Sequence, residues 1–247
     1  MARQPDHFST QSAGYKAHRP GYPTALFDYL AAATHGRKLA WDCGCGSGQA
    51  TLPLAERFGK VVATDLSPRQ VASAEPRPNV CYVAASAHAP PLADGSCDLV
   101  AVAQALHWFA GDSFYAQVRR VLRRGGVVAA WSYDLLEVSA AVDAIIGRLY
   151  RDLGRWWPPE RRHVEERYAN LPFPFEQLPA PPFSMSAHWD YTRLIGYLRT
   201  WSATAACRRE TGHDPVAAVA DELARAWGNP ATPLEVRWVL TLRVGRI

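Results

Sequence analysis

One stretch constrains this chain more than any other: a short apolar run that ends in a cluster of glycines. Residues 38–43 (KLAWDC) lead straight into Gly44, Gly46 and Gly48, and QATLPLAERF (49–58) then sets Leu52, Ala55 and Phe58 at helical spacing. A buried strand delivered into a tight turn and then a helix is the opening unit of a parallel α/β sheet, because glycine lets backbone turn and approach a ligand where a Cβ would clash. Pro53 falls early enough in that helix to be tolerated.

The alternation continues. VVATD (61–65) reads as a second strand and SPRQVASAE (67–75) as a helix capped by Ser67 with Pro68 at its first position. NVCYVAA (79–85) and CDLVAVAQ (97–104) are further strands; SFYAQVRRVLR (113–123) carries an apolar stripe of Phe114, Val118, Val121 and Leu122, and GGVVAAWSY (125–133) is a fifth strand. Strands alternating with helices predict a Rossmann-like, doubly wound and mostly parallel sheet of seven strands with helices on both faces. Beyond residue 138 a helix (139–153) runs into a proline- and aromatic-rich segment, followed by a strand (183–190), helices near 191–203 and 214–227, and a closing strand (234–247). The expected organisation is an N-terminal arm and helix (1–35), a cofactor-binding core (36–137), a variable helical and proline-rich cap (138–233) and a closing strand of the core sheet (234–247).

The glycine loop reads Asp42-Cys-Gly-Cys-Gly-Ser-Gly, a G-x-G-x-G series, with Gln49 where a dinucleotide-binding loop would place its third glycine. That spacing disfavours a pyrophosphate. Asp65, at the carboxyl end of the second strand, is placed to accept bonds from both hydroxyls of a ribose. Loop and carboxylate together predict a cradle for an adenosine-type cofactor.

At this point the sequence resembles the class I S-adenosylmethionine-dependent methyltransferases, in particular the type 11 branch that includes trans-aconitate methyltransferase-like proteins. WDCGCGSGQAT (41–51), VVATDLSPRQV (61–71), VAASAHAPPLADGSCDLV (83–100), AQALHWF (103–109) and LRRGGVVAAW (122–131) are similar, in order, to the motifs of that family. The resemblance implies that Asp42, Gly44, Cys45, Gly46 and Gly48 surround the methionine part of S-adenosyl-L-methionine, that Asp65 holds the ribose and that Leu66 flanks the adenine. Ser86 and Ala87 would lie at the adenine edge, where many members have an acidic residue in place of Ser86, and Gln104 would begin the floor under the sulfonium. The stretch 7–23 resembles the Y-x-x-x-R-P-x-Y-P segment of this branch: Tyr15 would offer a ring to the sulfonium and Arg19 a partner to the methionine carboxylate, the alternative being a packed arm.

His107 and Trp108 follow the fourth strand's carboxyl end, where open α/β sheets present ligand-facing groups. His107 is the catalytic candidate, as a general base, and both are candidates for the substrate wall. Trp156, Trp157, Tyr191, Arg193, Arg199 and Trp201 could line an acceptor pocket. Methyl transfer to a small-molecule acceptor, with a carboxylate among the candidates, and release of S-adenosylhomocysteine is therefore the expected activity. A nicotinamide-dependent oxidoreductase and a non-catalytic cofactor-binding protein are the competing readings.

Composition narrows the partners. A formal net charge of +4 on 247 residues is too modest for a nucleic-acid binder, and pairs such as Arg119/Arg120 and Arg161/Arg162 read as solvated helix faces. Five cysteines without a second Cys or His pair at zinc spacing read as free thiols, with no metal site. No apolar run is long enough for a membrane span, so a cytoplasmic monomer or homodimer is expected.

Overall fold

In the computed structural model residues 21–247 are described; Tyr15 and Arg19 lie outside them. Helix α1 (Thr24–Ala33) precedes strand β1 (Leu39–Cys43), and the alternation proceeds through α2 (Thr51–Ala55), β2 (Lys60–Asp65), α3 (Pro68–Ala72), β3 (Val80–Ala84), β4 (Cys97–Ala103), α4 (Asp112–Val121) and β5 (Leu122–Tyr133). The cap then contributes α5 (Ala140–Asp152), α6 (Arg161–Glu165), β6 (Glu176–Leu178), β7 (Phe183–Trp189), α7 (Tyr191–Arg199), α8 (Ser202–Thr211) and α9 (Pro215–Trp227), before β8 (Leu234–Arg246).

These strands form one sheet in the order β3-β2-β1-β4-β5-β8-β6, with β7 also paired to β8. The five strands of the first half are parallel, in agreement with the expected Rossmann-like architecture. The sheet has eight strands rather than seven, because the three-residue β6 adds to the far edge, pairing Glu176–Leu178 with the end of β8. Its sequence carries no period-two pattern, so only the pairing reveals it. β8 is long enough to serve two partners: Leu240–Arg246 runs antiparallel to β5, and Leu234–Leu240 runs antiparallel to β7. One strand thereby stitches the cap to the core.

The near-continuous apolar runs of β4 and β5 are explained by burial on both faces. On one face α1 packs Leu26, Phe27 and Leu30 against Trp131; on the other α4 buries Phe114, Val118 and Val121. Fully burying a side chain the size of Phe27 contributes roughly 1.5–3 kcal/mol. The predicted helix 191–203 is two helices: the chain turns at Thr200 and Trp201, and α8 continues to Thr211. No helix among the described residues is long and apolar enough to cross a membrane.

The order of the strands reverses between β1 and β4, and in open α/β sheets the ligand crevice lies outside the carboxyl ends of the strands at that switch point.

Candidate active site

The first half of the site is backbone. Gly44, Gly46 and Gly48 have φ of 73°, 53° and 90°, the left-handed region that side chains rarely adopt. A Cβ on Gly44 would stand 2.7 Å from that of Ala105, and one on Gly48 would stand 2.5 Å from the Tyr82 hydroxyl, whereas one on Gly46 would meet nothing within 4 Å. The loop is thus pinned at both ends and open at its middle. The amides of Gly44 and Cys45 donate to the Thr64 carbonyl at 2.8 and 2.9 Å, fastening the loop across β2.

Asp65 is tied to the same loop: its Oδ2 accepts from the Gly46 amide at 2.8 Å and its Oδ1 from the Ser67 amide at 2.9 Å. The glycine turn and the distal carboxylate are therefore joined directly. Leu66, beside it, is 55% exposed, an unusual placement for a large apolar side chain in this protein. Ser86 and Ala87 follow β3, and the Ser86 hydroxyl accepts from the His88 amide at 3.2 Å.

Asp42 is sealed beneath the loop. Thr51 donates to its Oδ2 at 2.6 Å, while Oδ1 has no partner among the described residues. Burial pushes its pKa up to about 7, with Thr51 opposing and the Asp65 charge adding to the rise. A turn open at its centre, a buried carboxylate oxygen without a donor and an adjacent exposed leucine fit a nucleoside cofactor that carries a hydrogen-bond donor and an apolar base.

The second half of the site is built from side chains. Gln104, at the end of β4, has a φ of 52° and is held there by its own amide: Nε2 donates to the Tyr133 carbonyl at 3.0 Å and the Tyr133 amide donates to Oε1 at 2.9 Å. Beyond it lies a cavity of about 90 Å³ walled by His107, Trp108, Tyr133, Asp134, Trp157, Arg161, Tyr197 and Trp201. A larger hollow of about 410 Å³ shares Trp157, Pro158 and Arg161 with it.

Arg161 is the cavity's cation. It pairs with Asp134, donates to the Tyr150 hydroxyl at 2.9 Å, and lies 5.5 and 5.3 Å from the ring centres of Tyr150 and Trp157. The solvated helix face expected for Arg161 is therefore corrected: its side chain is only 18% exposed. The short α6 turns it inward, towards aromatic rings.

The His107 ring lies 4.9 Å, centre to centre, from that of Trp108 at a tilt of 44°, and its Nδ1 lies 3.0 Å from the Tyr168 hydroxyl. Burial, then the charges of Arg161 and His163, lower its pKa to about 3, so the ring is neutral at physiological pH. Of the cap residues named from sequence, Trp157 and Trp201 reach the cavity. Trp156 instead bonds Glu210, Tyr191 the Ala220 carbonyl and Arg199 Asp214, and Arg193 lies over Trp189. Asp134, Arg161, Tyr168 and Tyr197 were missed; the one available signal was an arginine directly behind Trp-Trp-Pro-Pro.

The fold and its glycine loop define a Rossmann-like enzyme that binds a nucleoside cofactor. The comparisons agree and go further. Residues 41–130 match the methyltransferase domain family. A protein of Dictyostelium discoideum that carries the name of a methyltransferase is 34% identical over 227 residues, covering 90% of this chain and 86% of that one. The solved structure of a protein from Anaeromyxobacter dehalogenans that carries the name of a type II methyltransferase superposes with a TM-score of 0.87 at 49% identity, over 92% of this chain and 97% of that one. A protein of Saccharomyces cerevisiae bearing the name of an S-adenosylmethionine-dependent methyltransferase is 31% identical over 132 residues, half of this chain and 45% of its own length. The chain belongs to the S-adenosylmethionine-dependent methyltransferases. S-adenosyl-L-methionine is its cofactor, and the nicotinamide alternative is set aside.

Proposed function

We propose that this enzyme methylates a small-molecule acceptor held in the cavity between the ends of β4 and β5 and the cap. The observation that carries the reading is the cavity itself: a compact chamber beside the switch point, walled by Trp157 and Trp201 and furnished with one cation, Arg161. Asp42, Gly44, Cys45, Gly46 and Gly48 hold the methionine part of the cofactor, Asp65 the ribose, and Leu66, Ser86 and Ala87 the adenine, with Gln104 between cofactor and acceptor.

When bound, the cofactor supplies an activated methyl group, leaving the protein to align the acceptor and exclude water. Trp108, Trp157 and Trp201 do the excluding. The Arg161 guanidinium orients an acceptor oxygen, a carboxylate being the group that best matches its fork geometry. The Asp134 partner holds Arg161 in place. We place the enzyme in the cytoplasm as a monomer or homodimer, with the core at 36–137 and the acceptor cap at 138–233.

A panel of carboxylic acids, phenols and amines incubated with labelled cofactor tests the reading, with methylated product and S-adenosylhomocysteine both measured. Turnover of a carboxylate that loses affinity in Trp157→Ala supports it. Label appearing only in RNA or protein would overturn it.

A further inference from the structure

The cavity beyond Gln104 is aromatic on two sides. Five of the thirteen residues that line it are tryptophan or tyrosine, in a chain where aromatic residues make up 11%, so the enrichment is local. The core supplies Tyr133 and Trp108, with the His107 ring beside it. The cap supplies Trp157 and Trp201, whose ring centres lie 5.5 Å apart at 53°, and Tyr197, 6.2 Å from Trp201. Tyr197 and Trp201 are buried and fixed by packing, whereas Trp108 and Trp157 stay half-buried. Tilted rings offer a flat ligand both faces and edges, and aromatic pairs attract beyond the area they bury, because the negative face of one ring meets the positive edge of another. A saturated ring of the same size gains the burial alone.

Charge narrows the ligand further. Among the described residues, Arg161 and Asp134 are the only side chains lining the cavity that carry full charges. The Arg161 Nε donates to the Tyr150 hydroxyl and Nη2 to Asp134, while Nη1 has no partner among the described residues and is not sealed. Three of the five guanidinium hydrogens are therefore left, enough for one carboxylate. A second carboxylate would find no cation and would meet the charge of Asp134. Arg151 and Arg162 line the outer hollow and not this cavity. Size sets the last limit. At roughly 10–15 Å³ for each water-sized atom, a cavity of about 90 Å³ seats about six to nine non-hydrogen atoms. A six-membered ring carrying one carboxylate is the upper end of that range.

We propose that the acceptor is a monocyclic aromatic acid with a single carboxylate, its ring between the core and cap aromatics and its carboxylate on Arg161. The inference rests on the cavity being the acceptor site. An ordinary carboxyl is ionised at neutral pH, so no proton has to be removed. The carboxylate oxygen bonds to the methyl carbon as the bond from that carbon to sulfur breaks. The electron pair of the broken bond stays with sulfur, giving a methyl ester and S-adenosylhomocysteine.

Calorimetry on the full-length protein, with and without S-adenosylhomocysteine, reads acid binding in the absence of turnover. The probes are benzoate, cyclohexanecarboxylate and propane-1,2,3-tricarboxylate. Benzoate should bind about tenfold more tightly than cyclohexanecarboxylate, and the tricarboxylate more weakly than either. Burial alone would reverse the order of the two rings, since the saturated one has more apolar surface. In Trp157→Leu, folded by circular dichroism, the preference for benzoate should shrink to about threefold or less. In Arg161→Gln both ring acids should weaken by about tenfold or more. Benzoate that fails to bind, or a saturated ring or tricarboxylate that binds as tightly, would overturn the aromatic acid. The cavity still stands as the acceptor site in that event if the compound that does bind weakens in Arg161→Gln. Acids that bind the wild type and Arg161→Gln alike would overturn both readings.

Discussion

The two halves of the site are made of different material. Around the glycine loop, the shape comes from main chain: three left-handed glycines, amides that bond Asp65 and Thr64, and one sealed carboxylate. Around the cavity beyond Gln104 it comes from long side chains reaching in from the ends of β4 and β5, the cap helices and the loops before them. A backbone cradle has few ways to vary, because its geometry needs glycine at fixed positions. A side-chain chamber can be relined one residue at a time, which suits a fold that keeps one cofactor while acceptors differ.

If that contrast is right, the largest effect belongs to the cradle. Gly44→Ala adds a Cβ 2.7 Å from that of Ala105 at a φ of 73°; we expect a loss of roughly 3 kcal/mol of stability, read from denaturant unfolding, and no measurable cofactor binding. Gly46→Ala, where nothing lies within 4 Å, should cost only the left-handed backbone, roughly 1–2 kcal/mol. Equal losses would show that space around the loop is irrelevant.

Next, Asp65→Ala should weaken S-adenosylhomocysteine binding by about 1–3 kcal/mol in calorimetry, the range for a lost charged acceptor. Unchanged affinity in the folded variant would refute the ribose placement. Arg161→Ala tests the other half. It leaves Asp134 unpaired but partly solvated, so the stability cost should be about 1 kcal/mol, with acceptor turnover lost and S-adenosylhomocysteine affinity intact. Parallel loss of both ligands would mean the halves are not separable.

The smallest effects distinguish the halves by sign, at no more than about 1.4 kcal/mol per pH unit for one proton. Asp42 has its pKa raised in the fold to about 7; its contribution is present below about pH 4 and is lost as pH rises to about 7. His107 is lowered to about 3; its contribution is present above about pH 6.5 and is lost as pH falls towards 3. Asp42→Asn should flatten the first slope of the stability–pH curve and His107→Gln the second. A variant that flattens the other slope would reverse the assignment.

Legibility followed the same division. The parallel half of the sheet could be read from apolar runs and turn residues, because each βα unit is local and its strands are buried on both faces. The strand Glu176–Leu178 could not, since three residues show no period and its existence depends on β8 being there to pair with. Helix α8 was hidden because nothing in SATAACRRET forms a strong stripe until α9 and the 3-10 turn at Gly154–Trp156 cover it.

The glycine turn from Asp42 to Gly48, and the strand-end carboxylate of Asp65, were legible because a left-handed turn and the end of a buried strand leave their requirement in residue type at short range. The environment of His107 was not. Its partner Tyr168 is far along the chain and lies in a turn that local preference disfavours. Arg161 looked like an ordinary solvated arginine until the aromatic rings of Tyr150 and Trp157 closed on it. Short-range pattern decides where backbone must bend and which faces must be buried. Which distant side chains then share a chamber depends on packing summed over the whole fold.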